Sequence, residues 1–183
     1  MRNRRKAREL TLQILYWMDV RETPVEEALS VIFSRYRFRP EVKEFAESLI
    51  RGTSQLLLPI DFLIKKYAKN WTLERMARVD RNILRFASYE LLFLDNVPPI
   101  VSINEAVEIA KRYGTSDSGK FINGILDKIR QERGLGSSLN WTHLKKSLQK
   151  DPYLQELIRI KGKEKLWLVG GSLRDLLLGS EKK

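Results

Sequence analysis

Apolar side chains recur at helical spacing along most of this chain. Leu10, Ile14 and Met18 follow one another at four-residue steps, which places them on one face of a first helix ending near Val20. Alternation of apolar and polar positions, which is typical of strands, is almost absent before residue 134. The sequence therefore predicts an all-α bundle. The further helical patterns cover 24–39, 42–50, 60–67, 73–94 (divided near Val79), 102–113 and 120–133.

Short polar motifs predict where several of these helices begin and end. Thr23 and Glu26 have the spacing of a capping box, and Ser102 and Glu105 have the same spacing before a later helix. Gly114 follows the last periodic residue of that helix, so we expect it to be a left-handed C-terminal cap.

The pattern changes after the last of these helices. A glycine- and serine-containing stretch at 134–138 resembles a linker, so we expect a main domain at 1–135 and an extension at 136–183. Within the extension, 165–169 reads as a strand, two glycines follow as a turn, and 173–178 reads as a helix. The expected architecture is thus a helical domain with a short appendage.

Charge indicates the class of partner. Lys and Arg together number 34 against 23 Asp and Glu, a formal charge of +11, which concentrates polyanions around the protein. An anionic membrane surface would satisfy the same charge, but nucleic acid is the favoured partner. No apolar run is long enough to cross a bilayer and no signal-peptide core follows the basic N-terminus, so we expect a cytoplasmic protein.

The densest basic cluster lies at the N-terminus and leads directly into the first helix. Such an arm can follow a phosphate backbone and gain affinity by releasing counterions, although a frayed, solvated terminus is the alternative. Tyr16 joins this set as a candidate RNA contact, against the alternative that it belongs to the core. The cluster consists of Arg2, Arg4, Arg5, Lys6 and Arg8.

A second candidate site begins at Gly114, where the chain reads G-x-x-x-x-G-K. We reject a nucleotide-binding loop, because Phe121 stands where Ser or Thr must bind the metal and a helix stands where a strand should precede the loop. The free amides of a helix start beside Lys120 still favour an anionic backbone. Asp117 is either an N-cap or an acceptor for base amino groups, and Phe121 either a core residue or a stacking surface.

No catalytic constellation competes with the binding interpretation. The chain has no cysteine, which excludes disulfides and thiolate metal sites. His143 is the only histidine and lies in a polar segment, where we expect a surface residue. We therefore expect neither an enzyme nor a bound metal or cofactor.

Four sequence segments form a distinctive combination over about residues 2–133. They are Arg4-Arg5-Lys6-Ala7-Arg8-Glu9-Leu10 with Gln13, Leu15 and Tyr16; Leu84-Arg85 with Tyr89-Glu90-Leu91; Ile103-Asn104-Glu105-Ala106-Val107; and Lys120-Phe121-Ile122-Asn123-Gly124-Ile125-Leu126-Asp127. In this order and at this spacing they resemble the bacterial NusB family of transcription antitermination factors. The combination is specific, although no single segment would be.

The resemblance implies a helical bundle of two small subdomains within an antitermination complex on RNA polymerase, notably at ribosomal RNA operons. Its implied ligand is boxA RNA, and its implied protein partner is NusE, a small-subunit ribosomal protein. A homodimer that covers the RNA-binding face is a further implication. Carried over by position, the RNA contacts are Arg2, Arg4, Arg5, Arg8, Asp117, Ser118, Lys120 and Phe121, and the NusE contacts are Asp80, Arg81 and Leu84.

The tail resembles a different family. Residues 169–179 are similar to the V-G-G-x-x-R-D-x-L-L-G opening of tRNA nucleotidyltransferases and poly(A) polymerases. Those enzymes use a paired D-x-D for catalytic metals, and no such pair follows before Lys183, so we expect no polymerase activity. An RNA-binding domain of a ribosomal RNA methyltransferase is the alternative function, weakened because no methyl-donor-binding fold follows.

Overall fold

The computed structural model describes residues 2–69 and 71–134. This part of the chain is α-helical without strands, which confirms the predicted all-α bundle. The predicted boundary at 135/136, the whole extension and His143 lie outside the described residues. The seven helices are α1 (Arg2–Arg21), α2 (Val25–Arg35), α3 (Pro40–Gln55), α4 (Leu57–Tyr67), α5 (Arg78–Phe93), α6 (Pro99–Tyr113) and α7 (Ser118–Gly134).

Helix α5 is central to the bundle. It packs against α1, α3, α4 and α6, while α1, α2 and α3 also pack on one another. Ile83, Leu84, Phe86 and Leu91 of α5 are completely buried. Burying a side chain of this size contributes about 1.5–3 kcal/mol, so α5 supplies much of the core. None of the described helices is both long and apolar enough to span a bilayer.

The apolar face of α1 points into this core largely as its spacing predicts. Leu10, Ile14 and Leu15 are buried, whereas Met18 is only half-buried. The predicted apolar face of α7 is also confirmed, because Ile122, Ile125, Leu126 and Ile129 are buried.

Helices α3 and α5 approach closely at Gly52. A Cβ atom added at Gly52 would lie 1.9 Å from Cζ of Tyr89. Only a glycine leaves room for the tyrosine ring, which stacks at 5.5 Å on Phe93 and is itself half-buried. The two helices therefore pack through a glycine and an aromatic ring.

Both predicted capping boxes are wrong. Helix α2 begins after Pro24 without a side-chain cap, and Glu26 instead bonds to Arg51 of α3. Helix α6 begins at Pro99, so Ser102 and Glu105 lie inside it rather than at its start. In each case the glutamate of the motif pairs with an arginine of another helix, and a proline at or before the first turn starts the helix.

Two further boundaries differ from the prediction. Gly114 has φ −99° and ψ −158°, which is extended rather than left-handed. Glycine is required there for space, because an added Cβ would lie 2.4 Å from Oγ of Ser118. The segment 73–94, predicted to be helical, is a helix only from Arg78 onward, and the residues before it form turns. The carbonyl of Leu73 in these turns accepts a 2.7 Å hydrogen bond from the Arg81 side chain.

Candidate nucleic-acid interface

The N-terminal arginines lie in the first turns of α1, and their side chains separate into exposed and buried groups. Arg4, Arg5 and Lys6 are exposed. Arg4 lies 5.2 Å above the Phe45 ring and donates a 3.3 Å bond to the carbonyl of Asn96. Arg2 lies at the start of α1. Helix formation thus places the arm on the surface of the bundle as part of a folded element.

Arg5 is held against α6 by Glu105. Its guanidinium donates bonds of 2.8 and 2.6 Å to the two carboxylate oxygens of Glu105, and these bonds hold the pKa of Glu105 below its ordinary value. The Arg5 side chain remains 49% exposed, so a second anion has access to it.

Arg8 has a different environment from the rest of the arm. It is 2% exposed and donates bonds of 2.7 and 2.6 Å to Glu90, which also accepts a 2.6 Å bond from Ser102. Arg8 is therefore a buried structural residue in this conformation, without surface to offer to RNA.

Arg112, in the last turn of α6, is a surface cation that the sequence reasoning missed. It donates a 2.8 Å bond to Glu9 of α1, and its side chain is 66% exposed. A basic residue in the last turn of a helix is favoured by the helix dipole. This preference was the only local feature of the sequence that pointed to Arg112. We define the basic face as Arg4, Arg5, Lys6 and Arg112.

Asp117, in the turn between α6 and α7, and Lys120, in the first turn of α7, are exposed to solvent. The Asp117 carboxylate makes no hydrogen bond or ion pair with another described residue, so it does not cap α7. Ser118 is 1% exposed, and its Oγ accepts a 2.9 Å bond from the amide of Thr115. Ser118 thus shapes the turn, while its neighbours Asp117 and Lys120 are available to a ligand.

A pocket of about 560 Å³ opens beside this turn. Phe121, half-buried, meets Trp71 edge to face at 6.0 Å between ring centroids. Asp80 lies in the same lining, 8% exposed, and its Oδ1 has no hydrogen-bond partner among the described residues. Burial raises the pKa of Asp80, and its hydrogen bond with Ser118 opposes this only in part. The pocket therefore combines aromatic walls with a buried acceptor.

The structure thus brings together two sets of residues that the sequence analysis assigned to different partners. Asp117, Ser118 and Phe121 were assigned to RNA and Asp80 to NusE, yet all four line one pocket. The other assigned NusE residues lie elsewhere: Leu84 is completely buried, and Arg81 is held at 2.6 Å by Asp19. Among the described residues, no cluster of acidic or histidine side chains has the arrangement of a metal site.

Tyr16 lies on the exposed side of α1, with 42% of its surface accessible. The alternative that Tyr16 belongs to the core does not fit this exposure. Its ring is available for contact with a ligand or partner.

Comparisons with known proteins agree with this architecture. A sequence model of the NusB family matches residues 5–131. The chain is 47% identical over 132 residues to the transcription antitermination protein NusB of Desulforapulum autotrophicum, covering 71% of this chain and 92% of that protein. It is 48% identical over 142 residues to the protein of the same name from Syntrophotalea carbinolica, covering 69% and 90%.

Solved structures give the same result. T. maritima NusB superposes with a TM-score of 0.65 at 42% identity, covering 70% of this chain and 91% of that chain. A crystal structure of the antitermination factors NusB and NusE with double-stranded RNA contains a chain that matches with a TM-score of 0.65 at 29% identity, covering 72% and 98%.

Proposed function

Because this chain belongs to the NusB family, we propose that it acts in transcription antitermination, binding boxA-type single-stranded RNA together with NusE. In this role it supports transcription of ribosomal RNA by RNA polymerase. The observation that carries the proposal is the basic face, whose exposed cations lie on α1 and α6, the helix that leads into the Asp117–Phe121 turn. Relatives named as antitermination proteins and a related NusB structure with NusE and RNA support it.

In the proposed RNA-binding surface, some residues contact phosphates and others contact bases. Arg4 and Arg5 neutralise phosphates and release counterions, which supplies affinity without sequence preference. The half-buried ring of Phe121 offers a stacking surface, and the unpaired carboxylate of Asp117 accepts hydrogen bonds from base amino groups. We also expect Arg2, Tyr16 and Lys120 to contact RNA, whereas buried Arg8 and Ser118 support the surface from inside.

Within the pocket that these residues share, we assign Asp80 to NusE and leave Asp117 and Phe121 to RNA. A buried carboxylate oxygen without a partner is costly, and a cationic or amide donor from a bound protein would satisfy it. Arg81 and Leu84 then act by fixing the start of α5 rather than by direct contact. A homodimer stays a prediction. The proposed action requires no catalysis and takes place in the cytoplasm, where bacterial transcription occurs.

Fluorescence anisotropy tests this function directly. A labelled boxA-like strand and a scrambled control of equal length would each be titrated with the protein, with and without purified NusE. We expect tighter binding to the boxA-like strand and a further gain with NusE. Equal binding to both strands, unchanged by NusE, would contradict the proposal and favour a general RNA-binding role within a modification enzyme.

A further inference from the structure

A second groove lies between α1 and the α2–α3 loop. It has a volume of about 340 Å³ and is lined on one side by Lys6, Glu9 and Gln13 and on the other by Arg37–Arg39. We name it the loop groove.

The loop groove carries uncompensated positive charge. Lys6, Arg37 and Arg39 are exposed, and none of them forms an ion pair with another described residue. Glu9 is the acid in the lining, and its carboxylate is already engaged by Arg112. Three free cations around one neutralised acid make a surface that attracts a polyanion.

Aromatic rings alternate with these cations along the loop. Tyr36 is 51% exposed, and its ring centroid lies 6.4 Å from that of Phe38. Phe38 in turn meets Phe33 edge to face at 5.9 Å, and the ammonium of Lys43 lies 4.9 Å above the Phe33 ring. Single-stranded nucleic acid binds surfaces of this kind, with bases stacked on rings and phosphates on cations. An acidic protein segment would use the cations but not the exposed ring.

The loop groove is continuous with the basic face. Glu9 lines the groove and also accepts the bond from Arg112, so cations of α6 and of the loop lie on either side of one residue. Lys6 belongs to both surfaces and follows Arg5 in α1. A strand bound at the basic face can therefore continue into the groove past Glu9, whose charge is compensated by Arg112.

We propose that the loop groove binds the continuation of the RNA strand held at the basic face, as a sequence-independent single-strand site. This inference rests on the proposed function and extends it to a longer RNA. The phosphates lie against Arg37 and Arg39 of the lining, and a base stacks on Tyr36, which precedes them in the loop and lies outside the lining.

The test compares a short boxA-like RNA with the same RNA extended at either end by ~8 uridines, within the usual length of a single-strand site. We expect extension at one end to tighten binding by the wild-type protein about tenfold. The double variant Arg37→Ala/Arg39→Ala should lose this gain and bind the short RNA as the wild type does. The matched control Lys65→Ala/Lys128→Ala removes equal charge from exposed positions outside the groove and should keep the gain.

Tyr36→Leu separates stacking from charge. It should reduce the gain from extension while leaving the salt dependence of binding unchanged, since no phosphate contact is lost. Circular dichroism of every variant would establish that it folds.

The outcomes distinguish the groove from the function it rests on. If extension at neither end tightens binding, or if Arg37→Ala/Arg39→Ala keeps the gain, the groove proposal fails while the antitermination role stands. Equal weakening of short and extended RNAs in the folded double variant would also overturn it. If polyglutamate removes the gain but free oligouridine does not, the occupant is an acidic protein. Failure of the wild type to bind any boxA-like RNA would overturn both proposals.

Discussion

Arg8 and Glu90 form a fully buried, bidentate ion pair between α1 and α5, with bonds of 2.7 and 2.6 Å and exposures of 2% and 1%. Ser102 of α6 donates a third hydrogen bond to the same carboxylate. One acid therefore joins three helices. Removing either charge leaves the other buried without its partner, which is far more costly than losing an exposed pair.

Replacing Arg8 by Met should lower the free energy of unfolding by about 3–5 kcal/mol, because Glu90 would keep a buried, uncompensated charge. Urea denaturation measures this change. Arg5→Ala is the control: its exposed pair with Glu105 is worth ~1 kcal/mol or less. Similar losses in the two variants would show that the Arg8 pair is not structural. The double variant Arg8→Met/Glu90→Leu should recover part of the stability.

Gly52→Ala should destabilise the protein by about 1–3 kcal/mol, because the new methyl group overlaps the ring of Tyr89. A double-mutant cycle with Tyr89→Leu tests the cause. Tyr89→Leu removes the ring, so adding Gly52→Ala to it should cost much less than in the wild-type background. Additive effects would place the strain elsewhere.

Asp80 should weaken the fold when it ionises. Its pKa in the folded protein is raised above the ordinary value of 3.8, so the protonated form favours folding. That contribution is complete below pH 3.8 and is lost as the pH rises through the folded pKa. Asp80→Asn should therefore be at least as stable as the wild type at pH 7 and lose this advantage in acid. Denaturation across this pH range measures it.

The pKa of Asp19 is shifted in the opposite direction from that of Asp80. Burial alone would raise its pKa, but hydrogen bonds and charges from Arg81 and Arg85 outweigh burial and lower it. The stabilisation from Asp19 is present at neutral pH and is lost as the pH falls through the folded pKa. Asp19→Asn should thus be destabilising at pH 7 and less so in acid. Parallel pH profiles for the Asp80 and Asp19 variants would contradict at least one of the two assignments.

Arg4→Ala/Arg5→Ala should reduce RNA affinity and flatten its salt dependence. Each phosphate contact to a single strand contributes ~0.7 to the slope of log affinity against log salt, so the double variant should lose about 1.4. Anisotropy titrations at several salt concentrations measure the slope. Lys128→Ala, which alters an exposed cation of α7, should leave it unchanged. An unaltered slope in the double variant would show that Arg4 and Arg5 do not contact RNA phosphates.

Asp117→Asn should change the sequence preference of RNA binding, because it removes a negative charge and exchanges one acceptor oxygen for an amide donor. Thermal unfolding should be unaffected, since the Asp117 carboxylate has no partner among the described residues. A changed melting temperature with unchanged RNA affinity would make Asp117 structural.

Several site residues were identifiable from the sequence because their signal is local. The N-terminal basic cluster and the Asp117–Phe121 turn are contiguous in the chain, and both belong to the motifs of the family. Arg112 was missed because its role depends on Glu9, which lies 103 residues away in the chain. The loop groove was missed for the same reason, since α1 and the α2–α3 loop are brought together only by packing.

Helix positions followed from local sequence, because helical periodicity is set by residues three and four apart. The burial of individual charges did not, since Arg8 and Glu90 are 82 residues apart and nothing near Arg8 distinguishes it from exposed Arg5. The same limit explains the failed capping boxes, whose Glu26 and Glu105 bond to arginines of other helices. Packing of distant segments selects among the hydrogen-bond partners that a local motif leaves open, because a buried or bidentate arginine outcompetes a solvated helix end.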